Sequence, residues 1–191
     1  MAPRPVGSKE LNREHILQAA RTQFVEHGYR NVTMRSLASY LGCSHGALYY
    51  HFKDKAELYF QVVEQDFNRL LELLDHTVER KEPGIPLLRE VLTGYIRFGL
   101  ERPQSYEVMF MSESCELEKY AEPDLKRCYI HFVETVQQCL NRYNKQGKQQ
   151  ASMLFLGLHG FVSRHISLGH DYSRIEKEAA AYCDFLIRGV M

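Results

Sequence analysis

Residues 33–58 read TMRSLASYLGCSHGALYYHFKDKAEL, and their punctuation decides the fold. Thr33 is a helix N-cap residue, and Met34, Leu37, Ala38 and Leu41 recur at the spacing of one helix face. Gly42 stops that helix, and Ser44 caps a second one after a three-residue turn. The second helix buries only Leu48 and Phe52. Its other positions, His45, Gly46, Ala47, Tyr49, Tyr50 and His51, are small, aromatic or polar. A short helix with so little apolar stripe is not built only to pack. Its size and chemistry suit a DNA major groove.

The flanks extend the pattern. Upstream, Ile16, Ala20 and Phe24 form a stripe with Leu17 beside it, which predicts a helix from about Glu10 to His27 with Gly28 as its stop. Residues 1–8 contain Pro and Gly and are expected to be disordered. Downstream, Asp54 and Glu57 make a capping-box pattern that opens a long helix. Tyr59, Val63, Phe67, Leu70, Leu74 and Val78 carry it to about Arg80, before Pro83 and Gly84. Leu88, Val91, Leu92, Tyr95, Phe98 and Gly99 mark a fifth helix ending near Arg102 and Pro103, and residues 105–111 a short sixth. Residues 112–123 read as a polar connection bounded by Pro123. Leu125, Tyr129, Phe132, Val136, Cys139 and Tyr143 mark the next helix, stopped at Gly147. Residues 151–166 form an apolar helix ended by Gly169, and a capping box at Ser173 and Glu176 opens the last, to about Arg188. The fold class is all-α with about nine helices: a helix-turn-helix domain over 1–53 and a bundle over 54–191.

Composition sets outer bounds. The chain has 191 residues, 45% of them hydrophobic, and no formal net charge. Residues 1–60 hold eight Lys and Arg against five Asp and Glu, and the rest sixteen against nineteen, so the first third is mildly basic. The five cysteines, at 43, 115, 128, 139 and 183, are widely spaced and lack a C-x-x-C, which reads as reduced thiols in a cytoplasmic protein. MAPRPVGSKE has no apolar core, so no signal peptide is expected. No run reaches the roughly 18 apolar residues of a membrane span.

Residues 16–58 carry a resemblance. Ile16, Leu17, Ala20, Phe24, Gly28 and Tyr29, then Thr33, Leu37, Ala38, Leu41, Gly42, Ser44, Leu48 to Phe52, Lys55 and Leu58, resemble the DNA-binding domain of the TetR family of bacterial transcriptional regulators. The match spans about residues 10–60 without a gap. The run from Phe98 to Pro103 with Tyr106, Met109 and Phe110, and later Gly157 to Gly160, is similar to the regulatory domain of one branch of that family. The resemblance implies a homodimer on a near-palindromic operator, acting as a repressor released by a small molecule, with the fourth helix moving the two heads out of register with grooves about 34 Å apart. It further implies that Tyr49, His51 and Lys55 reach phosphates.

The residues themselves add roles. Helix N-termini present unpaired N–H groups to phosphate, and Thr33 and Ser44 add hydroxyls there. Base reading falls to Arg35, which can fork onto a guanine, and to His45, Gly46, Ala47 and Tyr50. The competing readings are interhelical packing for the tyrosines and solvated surface for Arg35 and His51. Inward stripes of the bundle place Tyr95, Phe98, Tyr106, Met109, Phe110, Phe132, Phe155 and His159 where a mainly apolar ligand is expected, against the alternative of a filled core. Gly157, Gly160 and Ala179 to Ala181, with Leu154, Leu158, Phe161, Val162, Tyr182, Phe185 and Leu186, mark the last two helices as the dimer surface. The alternative there is that they only complete the monomer.

No cofactor or metal is expected. His159, His165 and His170 are six and five apart rather than four, and Cys128 with His131 is a single pair. No phosphate loop or nucleophile elbow is present, so the chain does not read as an enzyme; the Glu113, Glu116 and Glu118 cluster reads as solvated loop. The rival function is a ligand-independent regulator, or an activator, controlled by a protein partner.

Overall fold

A computed structural model describes residues 11–111, 115–141 and 145–191, apart from the side chains of 104, 108 and 115–125. Expectations for residues 1–8, for the Glu113 to Glu118 cluster, and for Leu125 and Tyr143 lie outside the described residues. Among the described residues every regular element is helical: α1 (Arg13–Asn31), α2 (Met34–Leu41), α3 (His45–His51), α4 (Lys55–Val78), α5 (Ile85–Glu101), α6 (Pro103–Phe110), α7 (Cys115–Leu140), α8 (Lys145–Ser167) and α9 (Tyr172–Val190). The chain divides into two compact units, residues 1–64 with 114–120, and residues 65–113 with 121–191. The division falls inside α4, ten residues beyond its start.

In the first unit Gly28, Thr33, Gly42 and Ser44 act as read, while α1 opens at Arg13 and resumes beyond Gly28 to Asn31. Asn12 caps α1 by accepting from the His15 N–H at 2.8 Å, and Gly28 breaks the helix with φ 76°. Thr33 and Ser36 form a reciprocal capping box at the start of α2. Gly42 sits in the left-handed region, φ 65°, and the Cys43 and Gly42 N–H groups close back onto the Ala38 and Ser39 carbonyls. That closure satisfies two carbonyls which would otherwise be orphaned, and a side chain at this φ is strained. Ile16, Ala20, Phe24, Leu37, Leu48, Phe52, Leu58 and Val62 form the core.

In the second unit α5 is central, packing on α8 and α9. Gly99 makes this close approach possible: a Cβ there would lie 2.4 Å from Val162 Cγ1 and 3.0 Å from Tyr106 Cδ2. Leu154, Leu158, Val162 and Ala179 are at most 1% exposed. They complete the core of a single chain, so they leave the set assigned to the dimer surface. Gly157 also serves the single chain, since its carbonyl accepts from the Tyr182 hydroxyl at 3.1 Å.

Three boundaries differ from the sequence reading. Helix α7 runs through Pro123, because Glu, Leu, Lys and Ala around it are strong helix formers whose summed preference outweighs one proline. Gly147 is a buried residue inside α8, and the break falls earlier, at Asn141 with φ 51°; Asn is among the few side chains that tolerate this region. Helix α9 is capped by Asp171, which accepts from the Arg174 N–H at 2.9 Å, and not by Ser173. The Ser173 hydroxyl instead donates to that carboxylate at 2.7 Å.

Candidate functional site

The outer face of α2 and α3 presents most of the residues assigned to DNA. Thr33, Arg35, Ser44, His45, Gly46, Tyr49 and Tyr50 are exposed, with Tyr50 at 87% and Tyr49 at 46%. Ala47 and His51 are half-buried. The His45 and Tyr49 rings meet edge-on at 4.9 Å, as do Tyr50 and His51 at 5.2 Å. Packing between helices therefore does not explain Tyr50. Nothing within 4 Å would meet a Cβ on Gly46, so this glycine leaves the surface of α3 flat. The hydroxyls of Thr33 and Ser44 are engaged as caps, accepting from Ser36 and Ala47 N–H groups at 3.0 and 3.2 Å.

Lys55 is placed differently from its neighbours. Its ammonium donates to the Tyr29 carbonyl at 2.9 Å and the Val32 carbonyl at 3.0 Å, and lies 4.1 Å from the centre of the Tyr29 ring. Three positive-end interactions thus tie the start of α4 to the broken carboxyl end of α1. Lys55→Met is expected to lower stability by about 3 kcal/mol, since it removes two hydrogen bonds from a charged group and each contributes at least about 1.5 kcal/mol. Chemical denaturation with an unchanged slope checks this. A pure phosphate contact would leave stability untouched.

Sequence reasoning did not single out Arg13. Its Nη1 donates to the His51 carbonyl at 2.7 Å and its Nε to Gln61 Oε1 at 3.0 Å. Its Nη2 lies 3.7 Å from Glu57, and the guanidinium covers the Phe52 ring at 4.4 Å. One signal was available: a cation in the first turn of a helix opposes the helix dipole and calls for compensation.

In the second unit, six of the eight residues assigned to a ligand come together. Tyr95, Tyr106, Phe110, Phe132, Phe155 and His159 meet ring to ring, with centroids 4.8–6.3 Å apart. Phe98 and Met109 are buried. The rings interleave, mostly edge to face, so the space that Tyr95, Phe110, Phe132 and Phe155 leave beside Leu70, Leu74, Cys128 and Tyr129 is a cavity of about 10 Å³, which Tyr106 and His159 do not line. That is about the volume one water centre needs. Through the cluster runs a polar chain: the Tyr95 and Tyr106 hydroxyls are 3.2 Å apart, and the Tyr106 hydroxyl is 2.8 Å from His159 Nδ1. Burial holds both phenols protonated above the ordinary tyrosine range and pushes His159 below the ordinary imidazole range. All three groups are neutral at pH 7, which suits a relay of neutral hydrogen bonds.

His165 and His170 meet despite their spacing. The chain turns at Gly169 between them, bringing the two Nδ1 atoms to 3.0 Å, and Glu178 lies 3.6 Å from His165 Nε2. Among the described residues no group of three or more His, Cys, Asp or Glu could hold a metal. No described helix is long and apolar enough to cross a membrane.

An apolar face remains on α8 and α9. Met153 (57% exposed), Leu156 (64%) and Phe185 (64%) stand out, and Gly160 meets nothing within 4 Å. Phe161 stacks on Tyr182 at 4.5 Å beside them.

Comparison with known proteins gives these surfaces a context. Residues 16–62 match the family model of bacterial regulatory proteins of the TetR family, and residues 88–190 that of a tetracycline-repressor-like C-terminal domain. The chain is 30% identical over 161 residues to the HTH-type transcriptional repressor AcnR of Corynebacterium glutamicum, covering 82% of this chain and 79% of AcnR. It is 34% identical over 94 residues to the HTH-type transcriptional regulator AcrR of Shigella flexneri, 48% of this chain and 43% of that one. In fold it is similar to FadR of Bacillus subtilis, solved in complex with stearoyl-CoA, with a TM-score of 0.77 at 15% identity over 94% of this chain and all of that one. Two family models in the expected order, over the helix-turn-helix and over α5 to α9, leave one assignment: the chain belongs to the TetR family and is a DNA-binding transcriptional regulator.

Proposed function

We propose that this regulator is a repressor that binds a near-palindromic operator as a homodimer and leaves it when a small, mainly apolar ligand enters the second unit. The observation that carries the reading is the outer face of α3, where Tyr50 stands 87% exposed beside His45, Gly46 and Tyr49. An aromatic residue that exposed on a seven-residue helix gains little burial from the fold itself. In the groove, the Tyr50 ring and Ala47 meet thymine methyls, and Arg35 forks onto a guanine edge. The N-termini of α2 and α3, with Thr33, Ser44, Tyr49 and His51, meet phosphates, which supply salt-dependent affinity without sequence information. Lys55 adds its charge at the same edge while it braces α1.

The test is a titration of duplexes selected by the protein from a random library. Arg35→Ala and Tyr50→Ala are expected to relax preference at particular base pairs by on the order of 1–3 kcal/mol each, with little change in affinity for scrambled duplex. Wild-type discrimination in both variants would remove base reading from these residues.

Release by a ligand is supported by the aromatic cluster. Its closed state gives a ligand work to do: entry must part Tyr95, Phe110, Phe132 and Phe155, and that displacement is what a two-state regulator needs. Phenylalanine walls with a neutral Tyr–Tyr–His chain favour an uncharged, lipophilic ligand carrying one hydrogen-bonding oxygen. For the dimer, the support is the exposed Met153, Leu156 and Phe185 face with the open, exposed Gly160 on α8.

A further inference from the structure

We propose that Arg13 is a positioning residue for sequence recognition: from the first turn of α1 it sets the direction of α3 by holding the last carbonyl of that helix.

The recognition helix is only seven residues long; it buries Leu48, and Phe52 closes it as a buried C-cap. Leu48 and Phe52 together hold the inner face of such a helix, but rotation about the line between two apolar contacts stays cheap. A polar tie at the end restricts that rotation and so fixes the direction. The Arg13 Nη1 bond to the His51 carbonyl, at 2.7 Å, is placed at that end. It is charge-assisted and meets the negative end of the helix dipole.

The guanidinium is itself held. Nε is fixed by Gln61 at 3.0 Å, Nη2 lies 3.7 Å from Glu57, and the flat face rests 4.4 Å from the centre of the Phe52 ring. Glu57 in turn accepts from the Lys53 N–H at 2.7 Å, fastening the loop between α3 and α4. Each of the three guanidinium nitrogens thus has a partner within the protein, although the side chain is 46% exposed. Gln61 and Glu57 belong to α4, so a shift of α4 is passed to the end of α3 through the connecting loop and also through the Arg13 side chain. Lysine cannot replace it fully, since an ammonium lacks the planar fork that serves three directed partners.

Positioning and phosphate contact differ in measurable ways. The probes are the duplex that the wild-type protein selects from a random library and a scrambled duplex of equal length. For Arg13→Gln, affinity for the selected duplex is expected to fall about tenfold, the loss of one charge-assisted bond. Affinity for the scrambled duplex and the slope of log affinity against log salt are expected to stay unchanged, because no phosphate contact is lost. Arg13→Lys should fall between. Gln61→Ala, which loosens only the brace and keeps the cation, should narrow the ratio of the two affinities in the same direction, and it serves if Arg13→Gln fails to fold. A salt slope flattened by about one, with both affinities falling together, overturns the proposal in favour of a phosphate contact. A lowered melting temperature with an unchanged ratio of affinities overturns it in favour of a merely structural role.

Discussion

Phe132→Ala is expected to destabilise the second unit by about 3–5 kcal/mol, as large-to-small changes of buried aromatic residues do. Phe132 is 2% exposed and meets Tyr95 at 6.3 Å and Phe155 at 5.7 Å. The surrounding cavity is already filled to about 10 Å³, so the ring has no slack to share with its neighbours, and its removal leaves a true void. Chemical denaturation measures the loss. The same void should admit small apolar molecules: benzene or a halobenzene is expected to restore part of the lost melting temperature in the variant and to leave the wild type unaffected. A loss under about 1 kcal/mol would show that the rings part easily in the wild type, and that the closed cluster is one of several arrangements of comparable energy.

Phe185→Glu is expected to yield a folded monomer. Phe185 is 64% exposed in the single chain, so the substitution leaves the core intact. Across a twofold axis each residue is presented twice. A carboxylate buried without a partner at an interface costs on the order of 3 kcal/mol, and two copies weaken dimerisation by roughly 10⁴-fold. Sedimentation at micromolar concentration separates the states. Phe161→Glu is a less clean probe, because Phe161 already stacks on Tyr182 within the chain. A Phe185→Glu protein that sediments as a dimer with wild-type affinity would move the interface off α9.

What the sequence disclosed followed from how local its causes are. The turn between α2 and α3 rests on Gly42 and Ser44, whose conformations and hydrogen bonds involve residues no more than four positions away, and both were legible. The stripe Tyr59, Val63, Phe67, Leu70 and Leu74 in α4 is buried throughout, because periodicity reports which face turns inward. It does not report volume. The same reasoning placed Tyr95, Phe132 and Phe155 inside but could not say whether they surround space or fill it. Leu154, Leu158 and Val162 went to the wrong surface for a related reason: an apolar face does not name its partner, and Gly99, the residue that lets α5 approach them, lies 55 positions or more away in sequence. Spacing misled at His165 and His170, where the rule of four applies within a helix and the helix ends between them. Arg13 lay beyond the reading because its partners are 38 and 48 residues downstream.

The ties of Arg13, Lys55 and Arg21 also decide where the reading head can be cut from the rest of the chain. Lys55 reaches back to residues 29 and 32, Arg13 forward to 51 and 61, and Arg21 Nη2 to the Val62 carbonyl at 3.1 Å. A fragment ending at residue 53, where the motif itself is complete, keeps only the Arg13 bond to His51 and sheds Leu58, Tyr59 and Val62 from the core. With some fifty residues such a piece sits near the lower size limit for independent folding. Excision that preserves a foldable head must run through Val62 to Glu64, so the smallest portable form of this recognition surface carries the opening turns of α4 with it.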